Sequence, residues 1–455
     1  MICGRPGFVT NKIGEGRFTK LTNRRRCDTI SPKITRGRKA AHVEYGALRQ
    51  KQKTVKHERE AKIMQSFTMY APTEIVFGGG AEEQLAAMVR KHGGSRVMLV
   101  YGGGSVVKSG LLPKLEELLS KEGIPSVAFG GVQPNPLLAL AREGAVSARE
   151  FGADMIIGVG GGSAIDTAKA IAHGAANPEA DIWQFWKAER PLTKSLPVGV
   201  VLTISAAGSE TSSSAVITNQ ETGEKRGINT EFNRPRFALM NPELTFTLPK
   251  YQITCGIVDI IMHTLDRYFT QTGGNELTDE IAEALLRVVI RNGRKAAADP
   301  KDYGAMSELM WCGSVSHNGT TGLGRPMDFS VHQLGHELSG MFDIAHGASL
   351  STMWGSWALY VCGENPERFA RYADKVWGIT GDTETAALAG IEKTVEYFRE
   401  LDMPVCFSDS RIGVQPEAVA AELALRCSFH EKRLVGQFKK LDRNDLFSIY
   451  KLANR

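Results

Sequence analysis

Five short apolar runs between residues 74 and 205 each end in a glycine or serine turn: EIVFGG at 74–79, RVMLVYGGGS at 96–105, PSVAFGGV at 125–132, DMIIGVGGGS at 154–163 and LPVGVVLTIS at 196–205. Nearly continuous apolar runs of this length read as strands buried on both faces. Between them lie stretches with helical spacing, such as AEEQLAAMVRKHG (81–93) and NPLLALAREGAVSAREFG (135–152), the second ending at Gly152 as a helix cap. Strand and helix in alternation predict a parallel, Rossmann-like sheet covered on both sides, with ligands at the carboxyl ends of its strands. After Pro249 the pattern changes. GIVDIIMHTLDRYF, LTDEIAEALLRVVIRNGRKAA, YGAMSELMWCGSVSHNG and HQLGHELSGMF space their apolar residues at helical intervals, with no clear strand. The expected organisation is an α/β dinucleotide-binding domain at 64–247 followed by an all-α, metal-binding domain at 248–455.

Residues 1–63 stand apart. They carry 17 Lys and Arg against 5 Asp and Glu, so a chain with a formal charge of +5 is acidic past this leader. RRR at 24–26 and RGRK at 36–39, with few large apolar residues, predict a disordered basic arm outside the working fold, and Met64 opens a fresh pattern. Nucleic-acid or surface binding through the arm, or an organelle presequence, are the alternatives it offers. A secretory core of about 7 to 15 apolar residues is missing from the leader, and no run approaches the roughly 18 to 20 apolar residues of a membrane span. Seven cysteines, at 3, 27, 255, 312, 362, 406 and 427, form no CxxC pair. Scattered and odd in number, they predict reduced thiols in a cytoplasmic protein.

The chemistry concentrates in HQLGHELSGMFDIAH (332–346), which holds three of the ten histidines. His336 and Glu337 imitate a zinc-protease HExxH helix, but Gly340 stands where the second histidine belongs. His332 and His336 fall one helical turn apart, with His346 past a helix end expected near Gly347. GIVDIIMH supplies a second pair at the same interval, Asp259 and His263. Asp259, His263, His332 and His346 together make a donor set suited to Fe(II) or Zn(II), with room for a substrate oxygen. His336 is left over as a candidate proton carrier. Two glycine clusters, Gly102, Gly103, Gly104 with Ser105 and Gly160, Gly161, Gly162 with Ser163, let a backbone approach phosphate, and Asp166 and Lys169 follow the second. The first lacks the carboxylate that binds a ribose 2′-hydroxyl in NAD sites, which favours NADP.

These residues resemble the iron-containing, or group III, alcohol dehydrogenases, particularly their NADP-dependent butanol dehydrogenase and aldehyde reductase branch. From about Ser66 onward, PTEIVFGGGA, YGGGSVVKSG, GGVQPNP, GVGGGSAIDTAK, LTISAAGSE, GIVDIIMHTLDRYF and HQLGHELSGMFDIAHG stand in family order. The resemblance implies a dehydroquinate synthase-like fold, a homodimer, and hydride exchange between NADP(H) and a short- to medium-chain primary alcohol or aldehyde. It assigns the metal to Asp259, His263, His332 and His346 and places His336 beside the nicotinamide. It gives Gly102 to Ser105 to the adenosine 2′-phosphate, and Gly160 to Ser163 with Asp166 to the pyrophosphate and nicotinamide end. Asn135, Thr203 and Lys225 become cofactor contacts. Ala207 departs from the family's threonine before GSE, removing a hydroxyl that Ser205, Ser209 or Ser212 could replace in part. Glycerol and polyol dehydrogenases using NAD share this build, as do dehydroquinate synthases. The latter should require an Arg and Lys cluster near the metal, which the sequence does not display.

Overall fold

The computed structural model describes residues 64–455, so the expected leader at 1–63 and the readings attached to it lie outside the described residues. The strands are β1 (Glu74–Phe77), β2 (Val97–Gly102), β3 (Ser126–Val132), β4 (Met155–Gly160), β5 (Val198–Leu202), β6 (Ser214–Asn219), β7 (Glu224–Asn229) and β8 (Phe237–Met240). Six of them form one parallel sheet in the order β1-β8-β5-β4-β2-β3. Alternate residues explain why the runs are continuously apolar. Val97 and Leu99 pack with Leu85, Leu112, Leu115 and Leu119 on one face, while Met98 and Val100 meet Ala168, Ile171 and Ala172 on the other. Each large apolar side chain so buried contributes about 1.5–3 kcal/mol.

The helices of more than ten residues are α1 (Leu111–Lys121), α2 (Leu138–Phe151), α3 (Gly162–Ala176), α4 (Lys250–Tyr268), α5 (Glu276–Ala298), α6 (Tyr303–His317), α7 (Ser330–Phe342), α8 (His346–Val361), α9 (Thr383–Glu400), α10 (Glu417–Cys427) and α11 (Arg443–Ala453). From α4 onward their apolar faces close on one core that includes Trp354, Trp357, Phe369 and Phe407. Met310 of α6 reaches instead into the sheet's own core beside Val200 and Met240. None of the described helices is long and apolar enough to cross a membrane.

Two features position the site. From β2 the chain goes to β3 on one side and returns to β4 on the other, so the sheet's switch point lies between β2 and β4. Both glycine clusters sit there, at the carboxyl ends of those strands. The second feature is the loop from Thr203 to Ser213, between β5 and the antiparallel β6–β7 hairpin. Fully buried Lys169 of α3 donates to the Ser209 carbonyl and hydroxyl, both at 2.8 Å, and to the Ser214 carbonyl at 2.7 Å. From the opposite side α4 and α6 approach the same loop through glycines. A Cβ on Gly256 would lie 2.1 Å from the Ser205 carbonyl oxygen, and one on Gly313 would lie 3.2 Å from that of Ala206.

Gly256→Ala is therefore expected to cost about 1–3 kcal/mol through overpacking, and Gly313→Ala less. Urea unfolding of the two variants measures this; a Gly256→Ala midpoint equal to that of the parent would show that the loop is free to shift.

Candidate metal centre and cofactor cleft

The buried helix α4 carries Asp259 and His263 one turn apart, with their side chains 7% and 6% exposed. His332 enters from the first turn of α7, whose start is pinned by Asp328. One oxygen of that carboxylate accepts from Ser330 N at 2.9 Å, the other from Gln437 N and Phe438 N at 2.6 and 2.7 Å. α7 stops at Phe342, earlier than the end expected near Gly347, because Asp343 turns left-handed at φ 50°. His346 then opens α8, and Gly347 lies inside that helix's first turn. A Cβ on Gly347 would fall 2.2 Å from the Cys255 carbonyl oxygen. Only glycine lets α8 rest on α4 closely enough to bring His346 to Asp259.

These elements bring the predicted donors together. Donor atoms of Asp259, His332 and His346 lie within 4.8 Å of one another. Asp259 Oδ1 is the centre, with the Nε2 atoms of His263, His346 and His332 at 3.4, 3.6 and 3.8 Å. Asp259 Oδ1, His332 Nε2 and His346 Nδ1 are buried without a hydrogen-bond partner. Buried orphan atoms are costly, and one carboxylate facing three imidazoles is a donor set for a divalent cation. Burial holds His263 and His346 well below the usual imidazole range, leaving their lone pairs free of protons. His332 behaves differently. Burial also opposes its charge, but the nearby Asp259 carboxylate and the bonded Asp266 carboxylate outweigh it and raise the pKa. His332 Nδ1 lies 2.5 Å from Asp266 Oδ2, a carboxylate only 1% exposed, an arrangement that directs Nε2 toward the centre.

His336 stands beside this set without joining it, its ring 5.4 Å from that of His346 and 6.3 Å from that of His332. Burial and the Lys225 charge push its pKa well down. Glu337, the residue of the protease lookalike, pairs with Arg426 at 3.1 Å.

On the sheet side the predicted cofactor residues fall into two groups. Gly103 faces open space, and Gly104 has φ 103°, which a side chain would strain. Around Gly160 to Ser163 the chain itself fills the room, since a Cβ on Gly161 would lie 2.0 Å from Ile204 Cγ2 and one on Gly160 2.7 Å from Ala164 Cβ. Thr203 N donates to the Gly160 carbonyl at 3.1 Å. Asp166 is committed to the loop, accepting from Ser209 Oγ at 2.6 Å and Val216 N at 2.8 Å. Lys225 Nζ donates to Asn135 Oδ1 at 2.9 Å, and Asn135 Nδ2 to Asp343 Oδ1 at 3.0 Å, so this chain of bonds runs from the hairpin to the end of α7. Burial brings the Lys225 ammonium down to about 8 against the pull of Asp259, Asp166 and Asp343.

Sequence reasoning missed three neighbours. Asp266 follows His263 by three residues on the same helix, a spacing that could have revealed it. Arg267 follows His263 by four on that helix, and His317, from another helix, gave no such signal. The His317 ring stacks on His263 at 4.0 Å, and its Nδ1 bonds the Ala207 carbonyl.

Glycine turns over a parallel sheet, beside a buried carboxylate and three imidazoles, are the equipment of a metal-containing nicotinamide oxidoreductase. Residues 72–242 match the family model described as iron-containing alcohol dehydrogenase, and residues 253–454 match the C-terminal model of the same family. The chain belongs to the iron-containing alcohol dehydrogenase family. It is 36% identical over 391 residues to NADH-dependent butanol dehydrogenase A of Clostridium acetobutylicum, covering 85% of this chain and 99% of that one. It is 34% identical over 349 residues to the NADPH-dependent aldehyde reductase YqhD of Escherichia coli, covering 76% of this chain and 89% of the other. The crystal structure of a butanol dehydrogenase from Thermotoga maritima superposes with a TM-score of 0.83 at 35% identity, across 87% of this chain and 100% of that one.

Gly347→Ala, which alters no donor atom, is expected to lower metal content at least about tenfold by moving His346 off the site. Elemental analysis after dialysis against a weak chelator measures it; full retention would show that α8 can recede without cost.

Proposed function

We propose that this chain is an NADP(H)-dependent aldehyde reductase and alcohol dehydrogenase, acting on short- to medium-chain primary alcohols and their aldehydes. A single observation carries this reading: three imidazoles and a carboxylate converge on one buried point beside a sheet switch point lined by glycine turns. Bound here, a divalent ion supplies Lewis acidity to a carbonyl or alcohol oxygen, and the nicotinamide supplies or takes the hydride.

The chain's own residues do the rest. Asp259, His263, His332 and His346 hold the ion, and Asp266 keeps His332 in the ligating tautomer. His346, with 26% of its side chain exposed against 4–7% for the other three donors, marks the open side where substrate arrives. His336, neutral and adjacent, carries a proton to or from the cleft. Gly102 to Ser105 take the adenosine 2′-phosphate, and the absence of any carboxylate in that turn supports NADP over NAD. Gly160 to Ser163 and Thr203 face the pyrophosphate, while Asn135 and Lys225 set the nicotinamide end of the cleft. Asp166 acts through the loop it holds. The α/β domain at 64–247 then serves the cofactor and the helical domain at 248–455 the metal, with reaction between them. The relatives named above divide between NADH and NADPH, so the turn after β2 decides cofactor choice in this chain.

Three outcomes are expected. Asp259→Asn and His346→Ala each lose metal and NADPH-dependent aldehyde reduction together, as read by elemental analysis beside initial rates; an active, metal-free variant would refute the reading. Gly103→Asp, which introduces a carboxylate into open space, shifts the kcat/KM ratio of NADPH to NADH at least about tenfold toward NADH. Lys225 is cationic below about pH 8 and loses its charge above it. The KM for NADPH therefore rises as pH climbs through about 8, and Lys225→Met removes that step from the pH profile.

A further inference from the structure

His317 is the one imidazole around the metal centre to which the mechanism above gives no task. It closes α6, and the Thr203–Ser213 loop holds it in place. Thr211 Oγ1 donates to the Ser314 carbonyl at 3.2 Å, Ser314 Oγ donates in turn to Glu210, and a Cβ on Gly208 would lie 2.8 Å from His317 Cβ. His317 Nδ1 bonds the Ala207 carbonyl. A carbonyl can only accept, so Nδ1 carries the ring proton and Nε2 presents a lone pair. A second proton would set a cation against His263, one ring from a divalent ion, in a region of low dielectric. Nε2 is therefore an acceptor.

Nothing among the described residues donates to that lone pair. Unlike His332 Nε2 and His346 Nδ1, this unpartnered atom is not sealed from solvent, and the residue as a whole is half-buried. Its place is defined on two sides. The ring lies 4.0 Å from that of His263, and the methyl of Ala207, whose carbonyl it bonds, would be 3.6 Å from a Cβ on Gly162. His317 therefore joins the border of the Gly160–Ser163 turn to an imidazole of the metal centre. The loop itself offers no competing group there. Ser209 Oγ donates to Asp166 at 2.6 Å, Ser212 Oγ accepts from Ser214 N at 3.3 Å, Ser205 Oγ is buried, and Ala207 has no polar side-chain atom.

We propose that His317 is a cofactor-positioning residue whose Nε2 accepts a hydrogen bond from the carboxamide of the nicotinamide. The proposal rests on the reading of the cleft given above and deepens it. With the pyrophosphate on the Gly160–Ser163 turn and the hydride carbon at the metal centre, the nicotinamide joins the same two places that His317 joins. The carboxamide is the part of that ring system with N–H groups to donate. Holding it on the α6 side fixes the rotation of the ring about its glycosidic bond, and with it the face from which hydride leaves.

The 3-acetylpyridine analogue of NADP+ replaces the carboxamide by a methyl ketone, which keeps the carbonyl and removes the N–H groups, so it tests the proposal directly. Titration calorimetry of the metal-loaded full chain is expected to show NADP+ binding at least about fivefold more tightly than the analogue. This comparison depends on no variant folding. His317→Leu should bring the two affinities within about twofold by weakening NADP+ alone, with metal content unchanged, and His317→Gln, which keeps an acceptor, should retain part of the preference. Equal affinities in the parent, or a preference unmoved by His317→Leu, overturn the proposal. Loss of metal from His317→Leu with both affinities falling alike also overturns it and makes His317 a support for His263 only. A preference that follows His317 in a chain that reduces no aldehyde overturns the aldehyde reductase reading and leaves this contact standing.

Discussion

The ammonium of Lys169 organises more of this molecule than any other single group. Taking an ammonium fully out of water costs several kcal/mol unless its protons are accepted, and here all three acceptors come from the Thr203–Ser213 loop and its hairpin. Burial lowers its pKa to about 8, so near neutral pH it remains mostly charged and the demand persists. That demand fixes the loop in one conformation. The loop then presents the Ser205 and Ala206 carbonyls to the bare backbones of Gly256 and Gly313, and the Ala207 carbonyl to His317. The sheet thus dictates where α4 and α6 lie, and α4 carries two of the four donors.

Within the helical part the governing quantity is the local dielectric. His263, His317, His332, His336 and His346 are half of the chain's histidines, and they crowd into one region with neighbouring rings 4.0 to 6.3 Å apart. In water such a cluster would titrate near neutrality; in a low-dielectric pocket charging more than one ring is prohibitive, so the imidazoles present lone pairs. Among the described residues Asp259 is the one carboxylate at the centre. Asp266 supplies a second about two turns further along α4, where it bonds His332.

How much of this was legible in the sequence depends on the range of the signal. The five glycine-terminated strands were readable because each is buried on both faces and announces itself as an apolar run. β6 and β7 were not: EKRGIN is almost wholly polar, and the ribbon is buried only through residues such as Ala215 and Ile217, against Trp183 and Trp186. β8, four residues long, gave too short a run to register. Asp259 and His263 were readable as a pair one helical turn apart, and His332 by its turn to His336, whereas His346, on the next helix, was readable only as a third histidine in the same short stretch. The end of α7 was misjudged because a left-handed Asp343, rather than the glycine at 347, terminates it. His317 acts only through tertiary packing, and nothing in its local sequence distinguishes it from an ordinary polar residue.

The donor set also says something about the order in which the chain can acquire its parts. Asp259 and His263 meet through a single helical turn, but His332 and His346 join them only after two intervening helices and a reversal between α7 and α8 have closed. An unfolded chain offers a cation no more than scattered pairs, so tight capture waits for contacts of long sequence separation, which form slowly because loop closure must precede them. On the proposed donor set, metal loading would be a readout of completed folding: a chain arrested with its sheet formed and its helices undocked would be blind to the ion.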